Sequence, residues 1–546
     1  MRRHSFVSLI ALLVAVSATC LSCNGSGRQR SLLPDDDPNW YRSAVFYELF
    51  PRSFRDSDGD GIGDLAGIRE KLSYLDDLGI SAVWLNPIYP TPFFDSGYDV
   101  AGYREINPEY GTMEDFDNLL ESAHRAGIRV ILDLVFNHTS DEHPWFVESR
   151  SSLDNPKRDW YQWADPPFDY ECFNPMNFQF GLERWTLDPV TGQHYFHHFR
   201  PQMPDLNFYN PEMREALLDV VRFWLYKGVD GFRLDVGHMY FEGTEGCEHL
   251  PETHDFHREL RTLVDLFPSR AMVGEISGPP PDVLSYLGNG TNELHMVFNF
   301  PLVTMIYPSI WTGDRWCLEI GLDRSHFSKP PGGQMANILG NHDFFRPDGL
   351  LFGDSGRIKL AATLLMTLPG TPFVYYGEEV GMANGTATVV DYRDAARTPM
   401  QWDGSPGGGF TEGTPWIPLS PNWETHNVAV EEGDPASILS HYRKLIQLRK
   451  QSEALQSDHA SFIDPGSRSV LALVRGEGES AIVVLTNLKK SMVEGIFDLS
   501  EVPWPEGEIC NLLGEDGSSV ILNDETRGHY PYSLKPHGTM VLAPCP

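Results

Sequence analysis

Four apolar stretches of this sequence end in polar side chains, in the motifs DLVFNH (133–138), RLDV (233–236), VGEI (273–276) and GNHD (340–343). If these stretches are parallel strands of one sheet, their carboxyl ends meet on one face and bring the side chains together. A single carboxylate at a strand end often only caps the following helix. Four ends that carry Asp, Glu, His and Arg together favour a catalytic site.

Asp235 and Glu275 are the residue types that hydrolysis of an acetal needs. One carboxylate attacks or stabilises the cationic carbon, while the other holds a proton for the leaving oxygen. Arg233 lies on the same strand face as Asp235, where a guanidinium favours the ionised form that a nucleophile needs. Glu275 has no basic neighbour in the sequence, so burial should keep its proton in place, as a general acid requires. Asp343 is a third carboxylate that could accept hydrogen bonds from substrate hydroxyls.

A metal centre is the alternative interpretation of these motifs. His and Asp ligands around zinc or iron fit less well, because FNH and GNHD lack the H-x-x-x-H spacing and the facial-triad pattern. The five cysteines after residue 23 are sparse and have no C-x-x-C spacing. The sequence therefore favours catalysis by carboxylates.

The acidic loop DSDGDGIGD (56–64) resembles calcium loops in which hard oxygen ligands converge. The predicted ligands are the carboxylates of Asp56, Asp58, Asp60 and Asp64, with the carbonyl of Ile62. The loop is not an EF-hand, because Gly67 stands where that motif has a bidentate Glu. A solvated acidic turn is the alternative. We expect a structural calcium ion that fixes the loop after the first strand.

Eight short apolar runs alternate with amphipathic segments over most of the chain. The runs cover residues 44–50, 80–88, 129–138, 231–236, 271–276, 295–300, 336–343 and 371–379. Near-continuous apolar strands that alternate with helices indicate a parallel sheet covered by helices on its outer face. Eight such units predict an α/β fold, a closed (β/α)₈ TIM barrel.

Two segments interrupt this alternation. Residues 139–205 are rich in aromatic residues, Pro and Asp, and we interpret them as a subdomain inserted after the third strand at the barrel's catalytic rim. Short β-like runs separated by turns predict a C-terminal antiparallel β-sandwich over residues 452–546. The barrel is then predicted to span residues 41–138 and 206–451.

The first 23 residues have the pattern of an export signal: a basic start, an apolar run too short to cross a bilayer comfortably, and small residues. Cys20 and Cys23 precede a polar linker (24–40), as in bacterial lipoproteins. We expect an exported protein, whether periplasmic, attached to the cell surface or secreted, and a lipid anchor is left open. Export permits disulfides, and Cys510 and Cys545 could pair.

The chain carries 42 basic and 76 acidic residues, a formal net charge of −34. Such a surface disfavours nucleic acid and anionic membranes as partners, because their phosphates need Lys and Arg. The charge by itself indicates a soluble acidic surface and identifies no ligand.

These motifs resemble the α-amylase family, glycoside hydrolase family 13, over nearly the whole chain after its N-terminal segment. The separated blocks occur in the family's order: GYDV (97–100), DLVFNH, MPDLN (203–207), GFRLDV (231–236), VGEI and GNHD. The resemblance implies a retaining mechanism on α-glucosides, with Asp235 as nucleophile and Glu275 as acid/base. Asp343 would then stabilise the distorted substrate, and Arg233 would orient Asp235.

The resemblance also implies a subsite for the first sugar ring. Tyr98, Asp99, His138 and His342 match positions that hold the sugar there. The motif RTPMQW (397–402) is similar to exo-acting α-glucosidases and trehalose synthases, in which the arginine, here Arg397, pairs with the aspartate of GYD and closes the pocket behind one glucose. The acidic loop looks like the calcium loop of the oligo-1,6-glucosidase branch.

Specificity within the family rests on few positions. Val236 resembles enzymes that prefer α-1,6 bonds, whereas MPDLN is closer to groups that include α-amylases. We predict an exo-acting α-glucosidase of the oligo-1,6-glucosidase-like branch that acts on short α-1,4- or α-1,6-linked glucan oligosaccharides. An endo-acting α-amylase, a trehalose synthase and a catalytically inactive sugar-binding relative are the alternatives, and the oligomeric state stays open. The inactive relative is disfavoured because all three carboxylates are present.

Overall fold

A computed structural model describes residues 37–167, 183–243, 246–386, 391–514 and 519–545. The predicted export signal, Cys20, Cys23 and most of the predicted linker lie outside the described residues, as does part of the predicted inserted subdomain. Within the described ranges, no helix is both long enough and apolar enough to cross a membrane.

A closed barrel of eight parallel strands forms the centre of the molecule. Its strands are β1 (Phe46–Leu49), β2 (Ala82–Leu85), β3 (Arg129–Leu134), β7 (Gly231–Leu234), β8 (Ala271–Gly274), β9 (Met296–Phe298), β10 (Gln334–Asn337) and β11 (Thr371–Tyr375). Each of the eight predicted runs overlaps one of them, and every strand residue is buried. The predicted TIM barrel is confirmed, because strands covered on both faces need the near-continuous apolar runs that the sequence has.

Helices surround the barrel and separate its strands. The α-helices are Trp40–Ser43, Pro51–Phe54, Leu65–Glu70, Leu72–Leu78, Met113–Arg125, Pro144–Ser149, Pro211–Lys227, Pro251–Val264, Pro280–Ser285, Phe300–Thr312, Trp316–Arg324, Pro347–Leu350, Ser355–Thr367, Val428–Glu431, Ile438–Gln451, Glu453–Gln456 and Asp524–Arg527. Helix Pro211–Lys227 shows how the sequence sets their ends. The Asn210 side chain caps its first turn, and Gly228 ends it in the left-handed conformation.

A small antiparallel sheet follows β3 in the chain, with the strand order β4 (Trp163–Ala164), β6 (His194–Phe196) and β5 (Trp185–Leu187). Isolated backbone bridges join His138 to Asp205 and Tyr161 to Leu206, so the segment is fixed to the end of β3. This position places the inserted segment at the carboxyl ends of the barrel strands, where the predicted site lies.

Antiparallel sheets form the C-terminal part of the chain. A six-stranded sheet has the order β12 (Ala460–Phe462), β13 (Val470–Arg475), β14 (Ile482–Asn487), β19 (Thr539–Pro544), β16 (Gly507–Asn511) and β17 (Ser519–Leu522). Strands β15 (Val493–Phe497) and β18 (Tyr530–Leu534) form a second sheet, and apolar side chains from both sheets share one core. A disulfide joins Cys510 on β16 to Cys545, the residue after β19, so the pairing that the sequence left open is made in the structure.

Glu431 gives the fold a pH dependence that can be measured. Its Oε2 accepts a hydrogen bond of 2.9 Å from the N–H of Leu439, and burial raises the pKa of Glu431 to about 7. At pH values between the unfolded pKa of about 4.3 and this folded pKa, the folded state binds more protons than the unfolded state. Stability from this group is therefore complete below about pH 4.3 and is lost as the pH rises toward 7.

We expect Glu431→Gln to raise the free energy of unfolding at pH 8 by about 1–2 kcal/mol and to leave it nearly unchanged at pH 4.5. The amide oxygen still accepts from Leu439, but it carries no charge that burial penalises. Denaturant unfolding at the two pH values measures the effect. The exposed Glu424→Gln is the control, and an equal gain at both pH values would contradict the explanation.

Candidate active site

Arg233 lies at the centre of a carboxylate cluster at the ends of β3, β7 and β8. Its Nη1 donates to Asp133 Oδ1 and to Asp235 Oδ1, each at 2.7 Å, and its Nη2 donates to Glu275 Oε2 at 2.6 Å. The strand register causes this convergence, because Arg233 is the Cα partner of Asp133 on β3 and of Val273 on β8. The guanidinium is fully buried, so water does not replace any of these contacts.

Glu275 has no basic neighbour in the sequence, but it has a basic partner in the structure. Sequence spacing reveals only Asp235 as a neighbour of Arg233, but barrel closure brings Glu275 to the other side of the same guanidinium. The N–H of Val236 also donates to Glu275 Oε2, at 3.2 Å. Val236 adopts a φ of 37°, a strained conformation for a β-branched residue, and such strain clusters at functional sites.

One guanidinium serves three carboxylates in this cluster, of which those of Asp133 and Asp235 are buried and that of Glu275 is partly buried. Burial raises the pKa of Asp235 well above its ordinary value; Arg233 lowers it, and the neighbouring carboxylate of Glu275 raises it further. Burial likewise raises the pKa of Asp133, against the influence of Arg233. Arg233 therefore offsets only part of the cost of burying the charged forms of the two aspartates.

Tyr98 and His342 form the wall of the pocket beside this cluster. Their rings stack with centroids 5.1 Å apart, and the Tyr98 hydroxyl donates to Asp133 Oδ2 at 2.9 Å. His342 Nδ1 lies 2.7 Å from Oε1 of Glu48, a buried residue at the end region of β1. Trp84 lies beneath, with its ring centroid 5.1 Å from the Arg233 guanidinium carbon. Glu48, Trp84 and Asp133 are members of the site that sequence reasoning missed, although Asp133 begins the DLVFNH motif.

His138 is buried at the same face, as predicted. Its Nε2 lies 3.2 Å from the carbonyl oxygen of Tyr98, and its Nδ1 lies 3.3 Å from the Asn137 side-chain nitrogen. Burial lowers the pKa of His138, which keeps the ring neutral near pH 7. The single N–H of the neutral imidazole therefore donates to the Tyr98 carbonyl, and Nδ1 accepts from the Asn137 amide.

Asp343 is held by two arginines. Its Oδ1 accepts from Arg397 Nη2 at 2.9 Å and from Arg393 Nη1 at 3.2 Å, while His342 Nε2 lies 3.3 Å from its Oδ2. Burial alone would raise the pKa of Asp343, but His342, Arg393 and Arg397 outweigh burial and hold it well below the ordinary range. These three neighbours therefore favour the ionised form of Asp343.

The expected pair between Asp99 and Arg397 is wrong in this structure. The carboxylate of Asp99 accepts the backbone N–H groups of Phe94 and Asp95, at 2.8 and 3.0 Å, so its oxygens stabilise their own turn. Arg397 instead donates to the hydroxyl of Ser96 at 2.7 Å and to the carbonyl of His342 at 2.8 Å. The carboxylate that Arg397 contacts is therefore that of Asp343 and not that of Asp99.

Arg393 is the second arginine that contacts Asp343, and it was not found from the sequence. It donates to Asp95, to Asp391 and to Asp343, so it joins the loop after β2 to the segment after β11. The sequence feature that could have identified Arg393 as a site residue is its position four residues before Arg397. We call the contacts of Arg393 and Arg397 with Asp95, Ser96 and Asp343 the arginine wall.

Three carboxylates of the acidic loop converge after β1. Asp56, Asp58 and Asp64 each offer an oxygen within 4.8 Å of the others, and Asp56 and Asp64 are buried. Asp60 lies outside this group, because its exposed carboxylate accepts the N–H of Ile62 at 2.8 Å. Hydrogen bonds led by the Thr411 hydroxyl outweigh burial and lower the pKa of Asp56. Clustered carboxylate oxygens fit a hard cation such as calcium.

A second group of possible ligands lies where the inserted segment meets the barrel. His198, Asp205 and Glu242 are buried and offer atoms within 4.8 Å of one another. Asp205 Oδ2 accepts from Asn137 at 3.0 Å, and Gln162 donates to Glu242. Burial, and after it the charge of Asp205, raises the pKa of Glu242 well above its ordinary value. Burial and Asp205 thus both disfavour the charged form of Glu242.

Known proteins match this chain over most of its length. Residues 48–458 match the family model described as "Alpha amylase, catalytic domain". A probable alpha-glucosidase of Rhizobium meliloti is 39% identical, over 91% of this chain and 97% of its own length. An oligo-1,6-glucosidase of Parageobacillus thermoglucosidasius is 38% identical, over 83% of this chain and 91% of its own length.

Relatives named synthases are comparably similar. A protein named trehalose synthase/amylase from Mycolicibacterium smegmatis is 38% identical, over 83% of this chain and 85% of its own length. A crystal structure of a trehalulose synthase from Pseudomonas mesoacidophila superposes with a TM-score of 0.79 at 35% identity, and covers 92% of this chain and 99% of that one.

Proposed function

The chain belongs to the α-amylase family of glycoside hydrolases, and from that membership we propose that it is a retaining, exo-acting α-glucosidase that releases glucose from short α-1,4- and α-1,6-linked oligosaccharides. The arginine wall is the observation that carries this proposal. A chain-end enzyme needs a pocket closed behind one sugar ring, whereas an endo-acting enzyme needs a cleft open at both ends.

The wall closes the pocket because both of its arginines are buried and each has several partners. Arg397 is fully buried and donates to Ser96 and Asp343, while Arg393 reaches Asp95, Asp391 and Asp343. A glucan chain that continued past Asp343 would have to break these charged contacts without replacing them. Breaking buried ion pairs is costly, so an interior segment of a chain is disfavoured.

The roles of the carboxylates follow from their positions. Asp235 attacks the anomeric carbon, and Glu275 gives its proton to the leaving oxygen and then deprotonates the water that releases glucose. Both carboxylates contact one guanidinium, at 2.7 and 2.6 Å, and this supports the short separation of about 5 Å that retaining enzymes use. Asp343, with Tyr98, His138 and His342, holds the hydroxyls of the first ring.

A substrate panel with product identification tests the proposal. We expect glucose from maltose and from isomaltose, and we expect a maltotriose labelled at its reducing end to lose an unlabelled glucose first. Mixed maltodextrins from starch, with isomaltose untouched, would contradict the exo-acting assignment. The relatives named trehalose synthase and trehalulose synthase make isomerisation the second candidate, and trehalose formed from maltose instead of glucose would favour it.

Glu275→Gln is expected to lower kcat on maltose by about 10²–10⁴-fold, because the amide cannot donate the proton that the leaving oxygen needs. The first turnover of α-glucosyl fluoride should be affected much less, since fluoride leaves without protonation, whereas later turnovers still need Glu275 as the base. Pre-steady-state release of fluoride and of the first glucose of maltose measures the difference. Equal losses on both would contradict the assignment of Glu275 as acid.

We also propose that Asp56, Asp58 and Asp64 bind a structural calcium ion, with Asp60 and the Ile62 carbonyl as further predicted ligands. The cation would neutralise the acidic loop and fix it against the rim. At calcium concentrations about 100 times Kd, the ion should add about 2.7 kcal/mol to the stability of the fold. We expect a chelator to lower the Tm, and added calcium but not magnesium to restore it.

Asp56→Asn is expected to abolish this calcium response of the Tm and calcium binding in calorimetry. The exposed Asp76→Asn, on helix Leu72–Leu78, is the matched loss of one carboxylate and should leave both responses unchanged. A Tm that is independent of calcium in the wild-type chain would contradict the proposal.

A further inference from the structure

Three exposed aromatic rings lie around Asp343, and the proposed mechanism gives them no role. Phe344 and Phe345 follow Asp343 directly, and each is 49% exposed. Tyr392 is 39% exposed and precedes Arg393, whose guanidinium contacts Asp343. Single exposed apolar side chains are ordinary, but a cluster of large rings bordered by charged groups marks a ligand-binding surface.

The protein holds these rings outward by polar anchors on both sides. The Asn341 Oδ1 accepts the N–H groups of Asp343 and Phe344, at 2.9 and 3.1 Å. On the other side Arg346 is fully buried, and its Nη1 donates to the carbonyl of Tyr376 at 2.6 Å. The loop conformation therefore does not depend on burying either ring, and both rings keep a free face.

The position of Phe344 relates the cluster to the scissile bond. Its ring centroid is 5.9 Å from that of Phe300, which begins the helix after β9. Strand β9 lies between β8, which ends one residue before Glu275, and β10, which leads to Asp343. Phe344 therefore lies at the carboxyl end of β9, between the strand ends that are followed by Glu275 and Asp343, and Phe345 continues the surface to Tyr392, with centroids 6.4 Å apart.

We infer that Phe344, Phe345 and Tyr392 form a platform for the leaving group of the substrate, and that this leaving group is a ring with an apolar face, such as the second pyranose of a disaccharide. The inference rests on the proposed function. Because the arginine wall closes the pocket behind the first glucose, the rest of the substrate must leave through the open rim where these rings lie. The C–H face of a sugar ring or the face of an aryl ring can pack on them.

Four substrates with the same glucosyl group test the platform. Maltose, isomaltose and 4-nitrophenyl α-glucoside carry ring leaving groups, whereas the fluoride of α-glucosyl fluoride is too small to reach the platform. We expect Phe344→Ala to lower kcat/KM by about 10-fold more on the ring substrates than on the fluoride. The double change Phe344→Ala with Phe345→Ala should widen this ratio further.

Two variants separate ring contact from damage to the site. Phe344→Leu keeps an apolar side chain but loses the flat ring, so it should show most of the effect, whereas Phe344→Tyr should restore the wild-type ratio. Phe352→Ala removes an exposed ring beyond helix Pro347–Leu350 and should leave all four substrates unchanged. Equal losses on fluoride and on ring substrates would indicate that the change displaces Asp343. That result would contradict the proposed platform but not the proposed function. A wild-type enzyme inactive on all four substrates would overturn the proposed function and the inference with it.

Discussion

Asp235→Asn is expected to lower kcat by about 10⁴-fold or more on every substrate, including α-glucosyl fluoride. The amide has nearly the same shape as the carboxylate and can still accept from Arg233, but it is too poor a nucleophile to attack the anomeric carbon. Because burial raises the pKa of Asp235, a neutral side chain relieves a buried charge. The Tm at pH 7 should therefore equal or exceed that of the wild type. Steady-state rates and thermal melts of the same preparation check both parts.

Asp230→Asn is the matched control on the same strand. Asp230 precedes β7 at its amino end, where its carboxylate accepts from His124 at 2.7 Å and from Arg129 at 3.0 Å. Residues at that end of a barrel serve stability and not catalysis. We expect this variant to lose about 2–4 kcal/mol of stability but to keep its kcat within about threefold. Full sugar turnover by Asp235→Asn would show that the proposed nucleophile is wrong.

Arg233→Met is expected to destabilise the fold by about 3–5 kcal/mol at pH 8 and to abolish measurable turnover. The change leaves the carboxylates of Asp133, Asp235 and Glu275 together in a buried site without their shared cation. The folded pKa values of the buried aspartates then rise further above the unfolded value of about 3.9. The folded state binds more protons than the unfolded state in that window, so the variant's stability falls as the pH rises and recovers toward pH 4.

Denaturant unfolding from pH 4.5 to 8 measures this dependence. Arg233→Lys is the control that keeps the charge but cannot donate to three carboxylates from one plane. It should recover part of the stability at pH 8 and little of the activity. A loss of stability that is the same at both pH values would contradict the explanation, because it would indicate a packing defect and not uncompensated charge.

The sequence by itself determined the fold and the positions that carry polar side chains to its catalytic face. Strands buried on both faces must be apolar along their whole length, so the eight runs could be recognised one by one, and β3 and β7 are clear examples. Alternation of side chains along a strand places Arg233 and Asp235 on the same face without knowledge of any other strand. The sequence allowed a pair between Cys510 and Cys545 but did not establish it.

The tertiary structure alone decided which charges meet. Glu275 lies 42 positions from Arg233, Asp133 lies 100 positions from it, and Asp95 lies 298 positions from Arg393. Contacts over such separations depend on barrel closure and on the register between neighbouring strands, and local spacing contains neither. The partner expected for Arg397 was wrong for the same reason. The carboxylate of Asp99 accepts hydrogen bonds from backbone N–H groups of its own turn, whereas barrel closure brings Asp343 into contact with Arg397.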